Sequence, residues 1–281
     1  MKTHRAKKNW ADEVAEYFTP KPQTEAVSLS LIIPTYNCSH KLTRSLESVK
    51  RQNYSPLEVI VIDASSTDKT LNIVSLYGSL ITRVYIVAAF NVPEMLNRGV
   101  SLASSQFISF LYPGSFYISD ETYSIFAEAV IDNAYPDMVY CGCIQREIKA
   151  ETFICKYDFD DKTLKAGHHI TSMSACWMQR DFFLRIGKLN SSYDVRFAFD
   201  IFCRFYKLPK RRVKQLDRVL IDFDYGTLTA TRGLRKVTET WKILKDQFGL
   251  KVALKWFLTI KYTLLIQWLW HALKRRVFGK E

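Results

Sequence analysis

Short apolar runs alternate with helically spaced apolar positions through the first half of the chain. Residues 29–33 form a Leu/Ile run that stops at Pro34, and Leu42, Leu46 and Val49 then recur at helical spacing within 41–52. Residues 57–62 repeat the strand pattern, and Ser65-Ser66-Thr67-Asp68 reads as a helix start ahead of Leu71, Val74 and Leu76. A third strand is predicted over 81–87, a helix over 94–104, and a fourth strand over 107–111. Four strand–helix repeats whose strands look buried predict an α/β fold, a mostly parallel sheet with helices on both faces. Ligands bind such sheets at the carboxyl ends of the strands, so 34–37, 63–68, 88–94 and 112–120 are the segments to read for chemistry.

The two ends carry a different pattern. Residues 1–27 open on Lys, His and Arg and reach Pro20 and Pro22 without an apolar stretch, which reads as a basic arm and linker rather than a secretory leader. Residues 28–249 form the α/β domain. From Lys242 to Glu281 nine Lys or Arg residues face only Asp246 and Glu281, interleaved with Trp256, Trp268 and Trp270. No Pro interrupts this stretch, so 250–281 reads as a basic, aromatic amphipathic helix. Its uncharged run over 262–273 is well short of the ~20 residues that span a bilayer. A helix lying in the membrane interface through 250–278 fits better, and packing on the protein's own core is the competing use of the same face.

Charge narrows the partners without choosing one. Forty Lys plus Arg against 28 Asp plus Glu give a formal +12, which favours phosphates, nucleotides or acidic lipid. The aromatics of the sheet region are not interleaved with basic clusters, which argues against nucleic acid. The six cysteines have no framework spacing, and Cys141-Gly-Cys143 lacks a second pair for zinc, so reduced thiols in the cytosol are expected.

Three blocks carry a family resemblance: Ser30-Leu31-Ile32-Ile33-Pro34-Thr35-Tyr36-Asn37, then Leu46-Glu47-Ser48-Val49 with Gln52 and Tyr54, then Glu58-Val59-Ile60-Val61-Ile62-Asp63 through Thr70. Their order and spacing resemble the opening of the family 2 glycosyltransferases of the GT-A fold. Leu96-Asn97-Arg98-Gly99, 107–111, 136–140, 176–187 and 200–204 are similar as well, so the resemblance covers roughly 28–249. It implies an inverting transfer of sugar from a nucleotide diphosphate donor to a lipid-linked or polysaccharide acceptor, with Mg²⁺ or Mn²⁺ as the usual cofactor, at the cytoplasmic face of the cell membrane. It also implies nucleotide-binding roles for Pro34, Thr35, Tyr36, Asp63, Glu94 and Asn97, and a catalytic position at or near Asp200.

The chain departs from that pattern where charge is needed most. A diphosphate leaving group develops negative charge that a cation must meet, and the family meets it with a metal held by carboxylates after the fourth strand. Here that segment is Tyr112-Pro113-Gly114-Ser115, without a carboxylate, so no metal ligand is assigned. The acceptor base sits two residues before Asp200 in the family, and here that residue is Ala198. Ala64 and Ala89 likewise stand where acids are common, whereas Glu94 keeps one. Asp158-Phe159-Asp160 and Asp222-Phe223-Asp224 lie outside the fourth-strand position, and His168-His169 reads as exposed loop.

Several of these residues have purely local uses: Asp63 as a turn cap, Tyr36 wedged under the sheet edge, Asn97 as a helix-packing residue, Asp200 as a partner of Arg204 four residues on. Three functions follow. The first is a glycosyltransferase with weakened metal dependence. The second is a degenerate relative that binds a nucleotide-sugar or a partner without turnover, and the third is a basic membrane-surface or nucleic-acid binder that reuses the fold.

Overall fold

A computed structural model of the chain describes residues 26–146, 152–224 and 233–260. Residues 1–25 of the basic arm, and the tail beyond residue 260, lie outside the described residues, whereas Val27 is buried in the core.

The predicted repeats form. Strands β1 (Leu29–Thr35), β2 (Leu57–Asp63), β3 (Arg83–Ile86) and β4 (Phe107–Phe110) lie parallel in the order β3-β2-β1-β4. Between them run helices α1 (Ser39–Lys50), α2 (Thr70–Leu76) and α3 (Val92–Leu102). β1 is buried along its whole length and does not stop at Pro34, because its last pairs, Pro34 with Ile62 and Thr35 with Asp63, extend the ladder into the loop. Gly99 explains the Asn-x-Gly pattern: a Cβ there would overlap the Ile32 side chain, so α3 lies on β1 only with glycine at the contact.

Two expectations are corrected. β3 is an exposed edge strand, with Ile86 55% accessible, because no strand pairs on its outer side. Ser65-Ser66-Thr67-Asp68 does not begin the helix, which starts at Thr70. The Asp63 carboxylate accepts from Ser66 N at 2.7 Å, and Asn37 Oδ1 accepts from Thr67 N at 2.8 Å, so these amides are held in a loop against β1.

The second half turns the sheet mixed. β8 (Cys176–Gln179) pairs antiparallel to β4 and to β6 (Met138–Arg146). β9 (Val213–Asp224) runs parallel to β6, and the short β5 (Phe116–Tyr117) pairs antiparallel to β9. β7 (Phe153–Cys155) adds to β6, completing nine strands. Helices α4 (Thr122–Asp132), α5 (Asp161–Lys165), α6 (Arg180–Arg185), α7 (Phe197–Tyr206) and α8 (Gly233–Phe248) complete the order, followed by helical residues 250–260. One continuous core runs from Val27 to Trp256 and includes stacked Phe126 and Trp177. α8 is tied to it by Glu239, whose carboxylate accepts from the backbone N–H groups of Asp194, Val195 and Arg196 at 2.8 to 3.0 Å.

Candidate functional site

Because β1 to β4 are parallel, their carboxyl ends meet on one rim of the sheet. The order of connection reverses between β1 and β4, the position where open α/β sheets form a binding crevice. Tyr36 leaves β1 there and is 45% accessible. Its ring stacks on Phe90 from the β3–α3 loop, centroids 5.0 Å apart and planes 28° apart. Phe90 is itself 48% accessible, so the pair presents an open aromatic surface. The sequence singled out Tyr36 and missed Phe90, whose only signal was an apolar residue in a segment already marked for chemistry.

The other donor-side residues hold this rim in shape. Asp63 is fully buried and accepts from Thr35 Oγ1 at 2.8 Å and Ser66 Oγ at 2.6 Å. Asn97 grips the Leu189 backbone in both directions, donating to its carbonyl at 2.8 Å and accepting from its N–H at 2.9 Å. Asn91 caps α3 by accepting from Glu94 N, which leaves the Glu94 side chain exposed. Desolvation opposes the charge on Asp68, but hydrogen bonds from Thr70 and Ser39 outweigh it and hold this carboxyl well below the usual range.

A cavity of about 180 Å³ opens on the other side of the fourth-strand loop. Tyr112 and Phe223 stand at one part of its wall, Ala198, Arg196 and His169 at another. Ala198, which the sequence resemblance aligns with the base position, lines this cavity. Asp200 does not line it: its carboxylate takes Arg204 Nε at 2.9 Å, and Arg204 in turn donates to the Ile186 and Lys188 carbonyls. Burial pushes the Asp200 carboxyl up although Arg204 pulls it down. His168 and His169 lie in a loop, His168 exposed as expected and His169 partly buried. Both line the cavity, His168 stacked on Tyr157 and His169 against Phe199. Desolvation, with Arg196 and Lys236 nearby, holds the His169 imidazole well below its ordinary pKa and so neutral.

The loop after β4 is closed by groups from far along the chain. Ser115 is fully buried, and its Oγ accepts from Asp224 N at 3.1 Å. Gly114 has φ +94°, and a Cβ there would lie 2.7 Å from Asp224 Oδ2. The Asp222-Phe223-Asp224 triplet, remote in sequence, is thus delivered by β9 to the fourth-strand loop. Both carboxylates are engaged: Asp224 with Lys41 at 2.8 Å, and Asp222 with Arg146, which also donates to the Gly114 carbonyl at 3.1 Å. Among the described residues no three His, Cys, Asp or Glu side chains gather as a metal site. The two carboxylates that β9 brings to this loop are each paired with a side-chain cation.

The family model for glycosyl transferase family 2 matches residues 30–186, more than half of the chain. The chain belongs to glycosyl transferase family 2. It is a glycosyltransferase, and its sheet is the GT-A fold. A "PGL/p-HBAD biosynthesis glycosyltransferase" of Mycobacterium bovis is 27% identical over 210 residues, covering 73% of this chain and 80% of the relative. Staphylococcus aureus TarS 1-349 in complex with UDP superposes with TM-score 0.63 at 16% identity, covering 78% of this chain, which spans 65% of the TarS chain. Mannosyltransferase PcManGT from Pyrobaculum calidifontis, in complex with GDP-Man and Mn²⁺, matches with TM-score 0.57 at 16% identity over 96% of this chain and 89% of that one.

Proposed function

We propose that this glycosyltransferase carries out an inverting transfer from a nucleotide diphosphate sugar to a hydroxyl of a lipid-linked or saccharide acceptor, at the cytoplasmic surface of the membrane. The observation that carries the donor half is the open Tyr36–Phe90 pair at the rim of the parallel strands. An aromatic face stacks on any nucleobase. Pro34 and Thr35 are buried at the end of β1 behind Tyr36, Asp63 and Asn97 brace the adjoining loops, and Glu94 is exposed in the first turn of α3. TarS with UDP and PcManGT with GDP-Man place nucleotides on the same fold, which supports the donor class.

The acceptor half is the cavity at Ala198. In the transfer the bond from the anomeric carbon to the diphosphate oxygen breaks, a new bond to the acceptor oxygen forms from the opposite face, and nucleoside diphosphate leaves. The acceptor proton passes to solvent water, since the base position holds Ala198 and the depressed pKa of the His169 imidazole on this cavity makes it a poor proton acceptor. Asp200 acts through Arg204 to hold the 186–188 loop.

Membrane contact rests on residues 250–260. Ala253 and Trp256 are buried against the domain, while Leu250, Leu254, Phe257 and Leu258 remain exposed along one stripe flanked by Lys251 and Lys255. No helix among the described residues is long and apolar enough to cross a membrane.

The test is a transfer assay with radiolabelled UDP-, GDP-, CDP- and dTDP-sugars and membrane lipid extracts, with Mn²⁺ and with EDTA. We expect labelled product from one donor class. Nucleotide binding without transfer under any condition favours the second reading, a binder without turnover, for which Ala198 is the specific observation.

A further inference from the structure

We propose that Lys41 and Arg146 form a metal-independent diphosphate site, two side-chain cations standing where the fold otherwise uses a divalent ion. The proposal rests on the donor-site reading above and extends it to the leaving group.

The geometry lies in the loop after β4. Gly114 has surrendered its side-chain space to Asp224, whose Oδ2 lies 2.7 Å from where a Cβ would stand, with Lys41 Cδ at 3.1 Å. A side chain at 114 and the Asp224 carboxylate cannot share that space, so the carboxylate at this loop is the one carried by β9. Asp224 holds the Lys41 ammonium at 2.8 Å and Asp222 holds the Arg146 guanidinium. Arg146 is pinned to the loop by the Gly114 carbonyl, and β9 by Ser115 Oγ. Arg44 lies over the Phe116 ring at 3.8 Å, with Arg146 over the same ring at 5.9 Å.

The charge count matches what the reaction needs. Two carboxylates holding an ammonium and a guanidinium sum to zero, as two carboxylates holding a divalent ion would, and Arg44 over Phe116 adds a positive charge. The cations are the more exposed members of the two pairs, the Lys41 and Arg146 side chains being 27% and 34% accessible against 14% and 13% for their carboxylate partners. A guanidinium and an ammonium are direct phosphate donors. Lys41 leaves the first turn of α1, which follows β1 and Tyr36, so one short segment presents both the ring for the base and a cation for the phosphates.

Titration calorimetry of the full chain with UDP, GDP, CDP, dTDP and the matching monophosphates, in EDTA and in Mn²⁺, tests this. The expected result is one diphosphate binding with the same Kd in both buffers. Lys41→Met and Arg146→Met should each weaken it by about tenfold or more and narrow its advantage over the monophosphate. Lys41→Arg, which keeps the charge, should retain most of the affinity, and thermal melts of each variant separate lost binding from lost folding. Diphosphate binding only with Mn²⁺, or folded Met variants that bind as the wild type does, overturns the two-cation site and leaves the donor reading standing. If no nucleotide binds the wild type in either buffer, both fall.

Discussion

At the residue scale, Tyr36 and Asp63 sit one strand apart and do opposite things. Asp63 spends its carboxylate on Thr35 and Ser66 and is closed to solvent, whereas Tyr36 turns outward onto Phe90. Stacking a base on such a surface contributes about 1–3 kcal/mol. Tyr36→Ala and Phe90→Ala should therefore each weaken nucleotide binding by roughly five- to hundredfold, read by calorimetric titration, with unchanged melting temperature because both rings are exposed. Equal binding by both variants would remove the platform. Tyr36 was legible because it follows an apolar run and Pro34. Phe90 was not, since only the pairing of β1 with β2 and β2 with β3 brings the third loop beside the first.

At the element scale, α3 and β9 show how much placement depends on contact. α3 was legible from its apolar spacing and from Asn97-Arg98-Gly99, and the structure adds the reason for the glycine, the close approach to Ile32. Gly99→Ala overpacks that contact and should cost about 1–3 kcal/mol, measured by urea unfolding, although alanine is the better helix former. A neutral or stabilising result would mean that the α3–β1 spacing relaxes freely. β9 was the harder element. Its Asp222-Phe223-Asp224 triplet looked displaced from the fourth-strand loop, and the register Phe116 with Asp222 puts it there. Antiparallel return of a distant strand leaves no local periodicity to read.

For the whole molecule, the +12 charge and the exposed stripe of 250–260 act together. Vesicles with an anionic lipid fraction should bind the chain more strongly than neutral ones, and Leu254→Asp with Leu258→Asp should abolish most of that binding without lowering the melting temperature, because neither side chain is buried. Sedimentation with vesicles reads this directly, and undiminished binding by the double variant would assign it to another surface. By itself the sequence determined the repeating strand–helix order, the family and the rim that carries chemistry, because apolar periodicity and short motifs are local properties of the chain. Only the tertiary structure decided what meets at that rim: Phe90 on Tyr36, Asp224 in the space of a Gly114 side chain, and Ala198 and His169 on one cavity wall. Those meetings depend on strand order and on which side chains fill the remaining volume, and both are settled by packing across the whole sheet.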